Sequence, residues 1–313
     1  MRKIKQLVKY LVVTTACLSY PIQAATYPIP TDGSHIVGRP MVHEVVKGEH
    51  LEKIAKSYDV GFLALMAANR GVDPYLPEAG TFVELPTQII LPDVKYEGIV
   101  INLAELRLYY FEPEKGVVHI FPIGIGRIGR ETPAMETYIS QKREHPTWTP
   151  PASIRKEYLE KKNIILPDVV PAGPDNPLGN YAMRLAFGHG DYLIHGTNKS
   201  FGVGMRVSSG CIRMRPSDIE WLFQQVPLKE KVTVINEPVK YSFEPDGSLY
   251  VEVHRPLSQN EEQTHERLLT APDEKLTEWL EENDLNRTRY SAALAVQSGL
   301  PTEVGVVAEV AKE

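Results

Sequence analysis

The chain has 313 residues, 42% hydrophobic and 24% charged, with 34 lysines and arginines against 40 acids and a formal net charge of −6. That length allows two or three cores, the composition is that of a folded globular protein, and the acidic balance gives no electrostatic reason to seek nucleic acid. The start departs from this average. "MRKIKQLVKYLVVTTACLSYPIQAAT" sets Arg2, Lys3, Lys5 and Lys9 ahead of an apolar run and then the small residues Ala24 and Ala25. Basic, apolar and small, in that order, predicts a secretory signal peptide, residues 1–24, cut after Ala24. An uncleaved anchor or lipidation of Cys17 fits this short run less well. Cleavage removes four basic residues and no acid, so the mature charge becomes −10, and Cys211 becomes the sole cysteine. It then has no partner for an intramolecular disulfide, and a lone thiol in an oxidising compartment points to reactivity. No later apolar run is long enough to cross a bilayer.

Residues 25–42, rich in proline and glycine, read as an extended linker. A compact unit follows at 43–87. His43–Val46 is predicted as a strand. Leu51, Ile54, Ala55 and Tyr58 keep helical spacing, as do Phe62, Leu65, Met66 and Asn69 after a break at Val60-Gly61, and Thr81–Leu85 closes as a strand. Strand, helix, helix, strand in about 45 residues resembles the LysM module. The likeness rests on Val46-x-Gly48-Glu49-x-Leu51, Ile54-Ala55, Tyr58, Leu65, Ala68-Asn69, Gly80 and Leu85-Pro86, with His50 where threonine is usual. It implies binding to N-acetylglucosamine-containing glycan strands.

From Gly98 to residue 236 the texture changes to strands. "GIVINLAELRLYYFEPEKGVVHIFPIGIGR" is read as a hairpin turning at Pro113–Gly116, with the glycines 124–129 as a turn. Glu136–Lys142 is a strand, Arg155–Lys162 an exposed helix, and "YAMRLAF" and "GDYLIHG" are strands. Trp148 either lines a cleft or packs under the proline-rich loop. "PSDIEWLFQQV" is a helix opened by Ser217 as its cap, and "KVTVINEPV" a final strand. Residues 240–313 hold a hairpin around Asp246-Gly247 and an acidic helical stretch, 261–284, with Leu276, Trp279 and Leu280 on one face. A further helix in "RYSAALAVQSGLP" and a frayed last dozen residues complete the extension.

The chemistry concentrates in "YLIHGTNKSFGVGMRVSSGCIRMRP". A thiol is a modest nucleophile until deprotonated, and an imidazole can take its proton. His195 follows a predicted strand, and Cys211 follows a glycine-rich excursion that can fold back on it. Gly210 lets the backbone turn, so that its own N–H and that of Cys211 can stabilise an oxyanion. His189 and Asp191 lie near His195, but without an HExxH motif or paired cysteines they do not make a metal site. Neither metal nor cofactor is called for.

This segment resembles the L,D-transpeptidase catalytic domain of the YkuD type, whose signature is His-Gly-x followed some 15 residues later by Ser-His-Gly-Cys. Here it reads His195-Gly196-Thr197, then Ser208-Ser209-Gly210-Cys211-Ile212-Arg213. "GRETPAMETY", "HPTWTPP", "GPDNPLGNYAMRL" and "DYLIHGT" extend the likeness over 98–236. It implies a mainly β, sandwich-like catalytic fold with a short helix after the nucleophile, beside the small βααβ module and a partly helical extension. It implies Cys211 as nucleophile, His195 as base, the Gly196 carbonyl orienting the imidazole, and Gly210 at the oxyanion site. Ser209 stands where the family has histidine, and its hydroxyl can still donate there. Arg213, and less directly Arg206, are candidates to pair with a stem-peptide carboxylate; Arg213 can equally tie loops together.

The expected activity is acyl transfer from a peptidoglycan tetrapeptide stem to an amine, giving 3→3 crosslinks or attachment of an outer-membrane lipoprotein through its C-terminal lysine. The expected place is the periplasm. Transfer to water, making a carboxypeptidase, is the alternative, and a non-catalytic wall-binding protein is a further one.

Overall fold

The computed structural model describes residues 25–188, 192–199, 201–266, 268–270, 274, 276–278 and 286–306. The leader with Cys17, His189 and Asp191, and the helical face at Trp279 and Leu280 lie outside the described residues.

The linker is extended, as expected, but it is built into sheets. β1 (Ala25–Pro28) pairs antiparallel with a strand of the 98–236 domain, and β2 (Ile36–Val37) pairs with β5 (Ile89–Ile90). Between them lies the unit that resembles a LysM module: β3 (Met41–Glu44), α1 (Leu51–Ser57), α2 (Phe62–Ala68) and β4 (Phe82–Leu85), with β3 and β4 antiparallel. Leu51, Ile54, Leu65, Val83 and Leu85 fill its core. His50 caps α1 by accepting from the Lys53 N–H at 3.2 Å, a role open to any short side-chain acceptor, which accounts for its tolerance in place of threonine. Asn69 straps α2 to β4, donating to the carbonyls of Leu65 and Glu84 at 2.8 Å each and accepting from the Glu84 N–H at 2.7 Å.

The stretch read as one hairpin is three antiparallel strands, β6 (Gly98–Asn102), β7 (Arg107–Glu112) and β8 (Val117–Pro122). A second turn at 103–106 carries Leu106 at φ 58°. Strict alternation fails here because the sheet is buried on both faces. Ile99, Ile101, Leu108 and Phe121 face the catalytic core, while Val100, Tyr109, Phe111 and Val118 face Val37, Ile89 and Leu91 of the linker strands. The turn expected at 124–129 contains a short strand, β9 (Ile125–Gly126).

Next come β10 (Met135–Glu144), α3 (Ala152–Lys162), β11 (Tyr181–Leu185), β12 (Leu193–His195), β13 (Arg206–Ser208) and β14 (Ile212–Arg213). α4 (Pro216–Gln225) and β15 (Lys231–Ile235) complete the domain. Nine strands form one sheet in the order β1-β8-β7-β6-β15-β10-β11-β12-β14, so the architecture is mainly β, with α4 following Cys211. α4 begins two residues earlier than expected: Arg215, not Ser217, holds the capping position, and Pro216, which needs no N–H partner, is the first helical residue.

The C-terminal unit has the expected hairpin, β16 (Val239–Phe243) and β17 (Ser248–Val253), then α5 (Glu261–His265) and a last helix at Arg287–Val296. The expected fraying of the last dozen residues is corrected for Thr302–Val306, which is β18 and pairs with β17; Val304 is wholly buried there. A buried ionic cluster joins this unit to the catalytic sheet. Arg107 donates to Glu105 at 2.8 Å and to Glu252 at 2.6 Å, and Lys240 reaches Glu105 at 2.7 Å. Burial opposes the charge on Glu105 and Glu252, yet Lys240 and Arg107 hold both carboxyls below the usual range. With His254 these acids are close enough to share a cation, but the two basic side chains already serve them.

Candidate active site

β12 and β14 are parallel neighbours, with Ile194 opposite Ile212 and His195 opposite Arg213. Ile194 and Ile212 both point into the catalytic core. Side chains alternate along a strand, so His195, Cys211 and Arg213 emerge on the opposite face. All three line one cleft of about 600 Å³.

His195 is 4% exposed, and its Nδ1 donates to the Gly196 carbonyl at 2.6 Å, which leaves Nε2 as the lone-pair nitrogen. Burial first, and then the positive charge of Arg213, lower its pKa to about 4, against the main-chain groups of Gly196 and Leu178, which raise it. The imidazole is therefore neutral at working pH and able to accept a proton.

Cys211 is half-buried and in no disulfide among the described residues. It follows Gly210, whose φ of 105° is open to glycine and costly for other residues. Hydroxyls hold the carbonyls of this turn: Thr132 Oγ1 donates to Gly210 O at 2.8 Å, and Ser208 Oγ donates to Cys211 O at 2.5 Å. In a trans peptide the C=O and the following N–H point in opposite directions. Thr132 thereby sets the direction of the Cys211 N–H, one of the two candidate oxyanion donors. Ser209 is exposed on the cleft wall, where its hydroxyl can reach a bound group.

Arg213 has its main chain fixed to Gly124 by bonds of 2.7 and 2.8 Å, and its buried Nε has no hydrogen-bond partner among the described residues. Its guanidinium carries charge beside Cys211. Arg206 is not brought to this cleft. Its Nη1 donates to Ser258 O at 3.0 Å, tying the catalytic domain to the C-terminal unit, and it lines a separate cavity with residues of α2. The candidate role at the substrate is corrected accordingly. Trp148 does line the cleft, held at its rim by a two-way main-chain pairing with Val170.

Sequence reasoning missed Thr132, Ser208 and three more arginines. Arg130, Arg143 and Arg184 join Arg213 around the cleft, and no acidic residue lines it, among the described residues. A chain that is acidic overall thus has a locally basic site. The arginines come from three strands and a loop, so no run of charge marks them in the sequence, whereas Ser208, three residues before Cys211, has the spacing of a local serine turn.

Comparison with known proteins gives a consistent picture. Residues 97–234 match the L,D-transpeptidase catalytic domain family, 238–304 the L,D-transpeptidase C-terminal domain and 43–86 the LysM domain. The probable L,D-transpeptidase YcfS of Escherichia coli K12 is 49% identical over 290 residues, covering 92% of this chain and 90% of its own. The probable L,D-transpeptidase ErfK/SrfK of the same strain is 44% identical over 91% of this chain and 93% of its own, and YbiS is 50% identical over 77% and 78%.

Proposed function

The chain belongs to the family of peptidoglycan L,D-transpeptidases, and from that premise we propose that Cys211 is its nucleophile and His195 its base. Nε2 of His195 takes the thiol proton as sulfur attacks the carbonyl joining the diaminopimelate L-centre to the terminal D-Ala of a tetrapeptide stem. The oxyanion is met by the N–H groups of Gly210 and Cys211, with Ser209 as an additional donor. An imidazolium beside Arg213 is a strong acid, so it readily protonates the departing D-Ala nitrogen. A second amine then attacks the thioester, giving up its proton to His195, and the thiol is restored. No metal or redox group enters these steps.

The observation that carries this reading is the shared cleft of His195 and Cys211, ringed by four arginines. Stem peptides bring carboxylates to that ring, and Arg213 suits a bidentate contact with one of them. The LysM module raises the local concentration of stems by holding glycan. The acceptor is a second stem, giving 3→3 crosslinks, or the C-terminal lysine of an outer-membrane lipoprotein; water as acceptor makes a carboxypeptidase. We place the enzyme in the periplasm after removal of residues 1–24; no helix among the described residues is long and apolar enough to cross a membrane.

Mass spectrometry of tetrapeptide muropeptides incubated with the mature protein tests the reading. Dimers with loss of D-Ala are expected. Tripeptides alone identify a hydrolase, a lipoprotein conjugate identifies that acceptor once it is added, and unchanged substrate in every arm contradicts catalysis.

A further inference from the structure

Asp59 ends α1 in the left-handed region, at φ 54°. Glycine is the usual occupant of this place, and an L residue gives up roughly 1–2 kcal/mol to adopt it. Its side chain is 8% exposed and ion-pairs through Oδ1 with Arg215, while its buried Oδ2 has no hydrogen-bond partner among the described residues. Asp218, in the first turn of α4, is 2% exposed, and its Oδ2 is likewise without a partner there. Two buried carboxyls thus lie near one guanidinium, which ion-pairs with Asp59 and acts on Asp218 only through its charge, while Asp218 Oδ1 accepts from Ser217 Oγ at 3.0 Å. Burial, and then the charge of Asp59, push the Asp218 carboxyl up to about 7, and the Arg215 charge only partly offsets this. Arg107, on the far wall, does not relieve it, because Glu105 and Glu252 hold its Nη1 at 2.8 and 2.6 Å.

The group that reaches Asp59 from the other side is the main-chain N–H of Ala25, which hydrogen-bonds to the carboxylate. Ala25 and Asp59 line one small cavity of about 30 Å³ with Tyr27 and Tyr58. The pairing of Ala25 with Ile120 across β1 and β8 holds the nitrogen there.

We propose that the junction of the LysM module and the catalytic domain is an ammonium site, filled by the chain's own α-amino group at Ala25 once the leader is removed. The proposal rests on cleavage after Ala24. In that step a leader peptidase hydrolyses the Ala24–Ala25 bond: water gives its hydroxyl to the Ala24 carbonyl, and the Ala25 nitrogen takes up protons. One neutral donor becomes a cation with three donors, beside the buried Asp59 carboxylate, whose Oδ2 has no partner among the described residues. Processing completes the ionic clamp between the two domains, and the uncut precursor lacks it.

The test uses the full mature chain beginning at Ala25, with its amine free or acetylated, and the same chain with one added glycine, which moves the ammonium about 3.8 Å along the backbone. An α-amine paired with Asp59 titrates above its ordinary value of about 8. A raised pKa gives stability that is full below the ordinary value and lost as pH rises through the raised one. At pH 7 the acetylated and glycine-extended chains should melt about 2–4 °C below the free-amine chain, and the gap should close at high pH and in Asp59→Asn. Equal melting of free and acetylated chains, with an amine titrating near 8, overturns the site, and needs no variant that must fold. N-terminal sequencing of the exported protein reads the cleavage separately: a start other than Ala25 removes the proposed ligand whatever the titration finds.

Discussion

Ile194 and Ile212 face each other across the parallel pair β12 and β14, both directed into the core, and this register sends His195 and Cys211 to the same side of the sheet. Ile212 is 1% exposed. Replacing it with alanine should cost about 2–5 kcal/mol, and with valine about 0.5–1.5 kcal/mol. If the register also positions the thiol, Ile212→Ala should lose turnover at temperatures where it remains folded, while Ile212→Val keeps it. Thermal melts read beside turnover of a soluble tetrapeptide check this; full activity in folded Ile212→Ala contradicts it.

If Gly210 and Cys211 N–H groups form the oxyanion site, Thr132 bears on the reaction through the peptide plane it holds. Thr132→Val removes the bond to Gly210 O and frees the Cys211 N–H to turn. Deleting an oxyanion donor outright costs about 10²–10³ in kcat, so loosening one should cost roughly 10-fold, with KM little changed. Thr132→Ser should recover most of the loss. A change confined to KM would place Thr132 in substrate binding instead.

The depressed pKa of His195 carries a sign. Burial and Arg213 lower it from 6.5 to about 4, so between those values the unfolded chain binds a proton that the folded chain refuses. Stability should therefore fall as pH drops through that window, and the acid limb of kcat/KM should lie well below 6.5. Arg213→Gln removes the second cause and leaves burial, so the limb should move up in pH while the plateau also drops. An acid limb that stays in place in Arg213→Gln contradicts the electrostatic account.

The LysM module is mounted on the active-site loop. Leu63 N donates to Gly204 O at 3.2 Å, and a Cβ on Gly204 would come within 2.5 Å of the Phe62 nitrogen. Arg215 adds bonds to Asp59 and to Val60 O. Gly204 lies between His195 and Cys211, so deleting 43–86 should weaken sacculus binding and also slow turnover of soluble muropeptides. Arg215→Ala removes the buried ion pair to Asp59 and the bond to Val60 O, a loss of about 3–5 kcal/mol. Pull-down on sacculi and turnover of soluble substrate read the two effects apart; unchanged soluble turnover after the deletion would mean that the loop does not need its mount.

Much of this was legible in the sequence, for identifiable reasons. The helices of the LysM module follow from apolar spacing over short range, and the glycines around Cys211 mark a turn by local sterics. What escaped depends on contacts far apart in sequence. β1 reads as a linker because its pairing partners lie 89 to 95 positions away, and the doubly buried sheet hides its own alternation. Thr132 is 78 positions from the carbonyl it holds. Arg206 and Arg213 look alike in sequence, yet one turns to Ser258 and the other to the cleft.

The central claim is that Cys211 is acylated with His195 as its base. Its most direct measurement is the intact mass of the mature protein after exposure to a carbapenem, an acylating agent the family resemblance implies. Wild type should gain one adduct, Cys211→Ala none, and His195→Ala a slow one whose rate rises with pH as free thiolate accumulates. A full adduct on Cys211→Ala, or wild-type acylation kinetics across pH in His195→Ala, would contradict it.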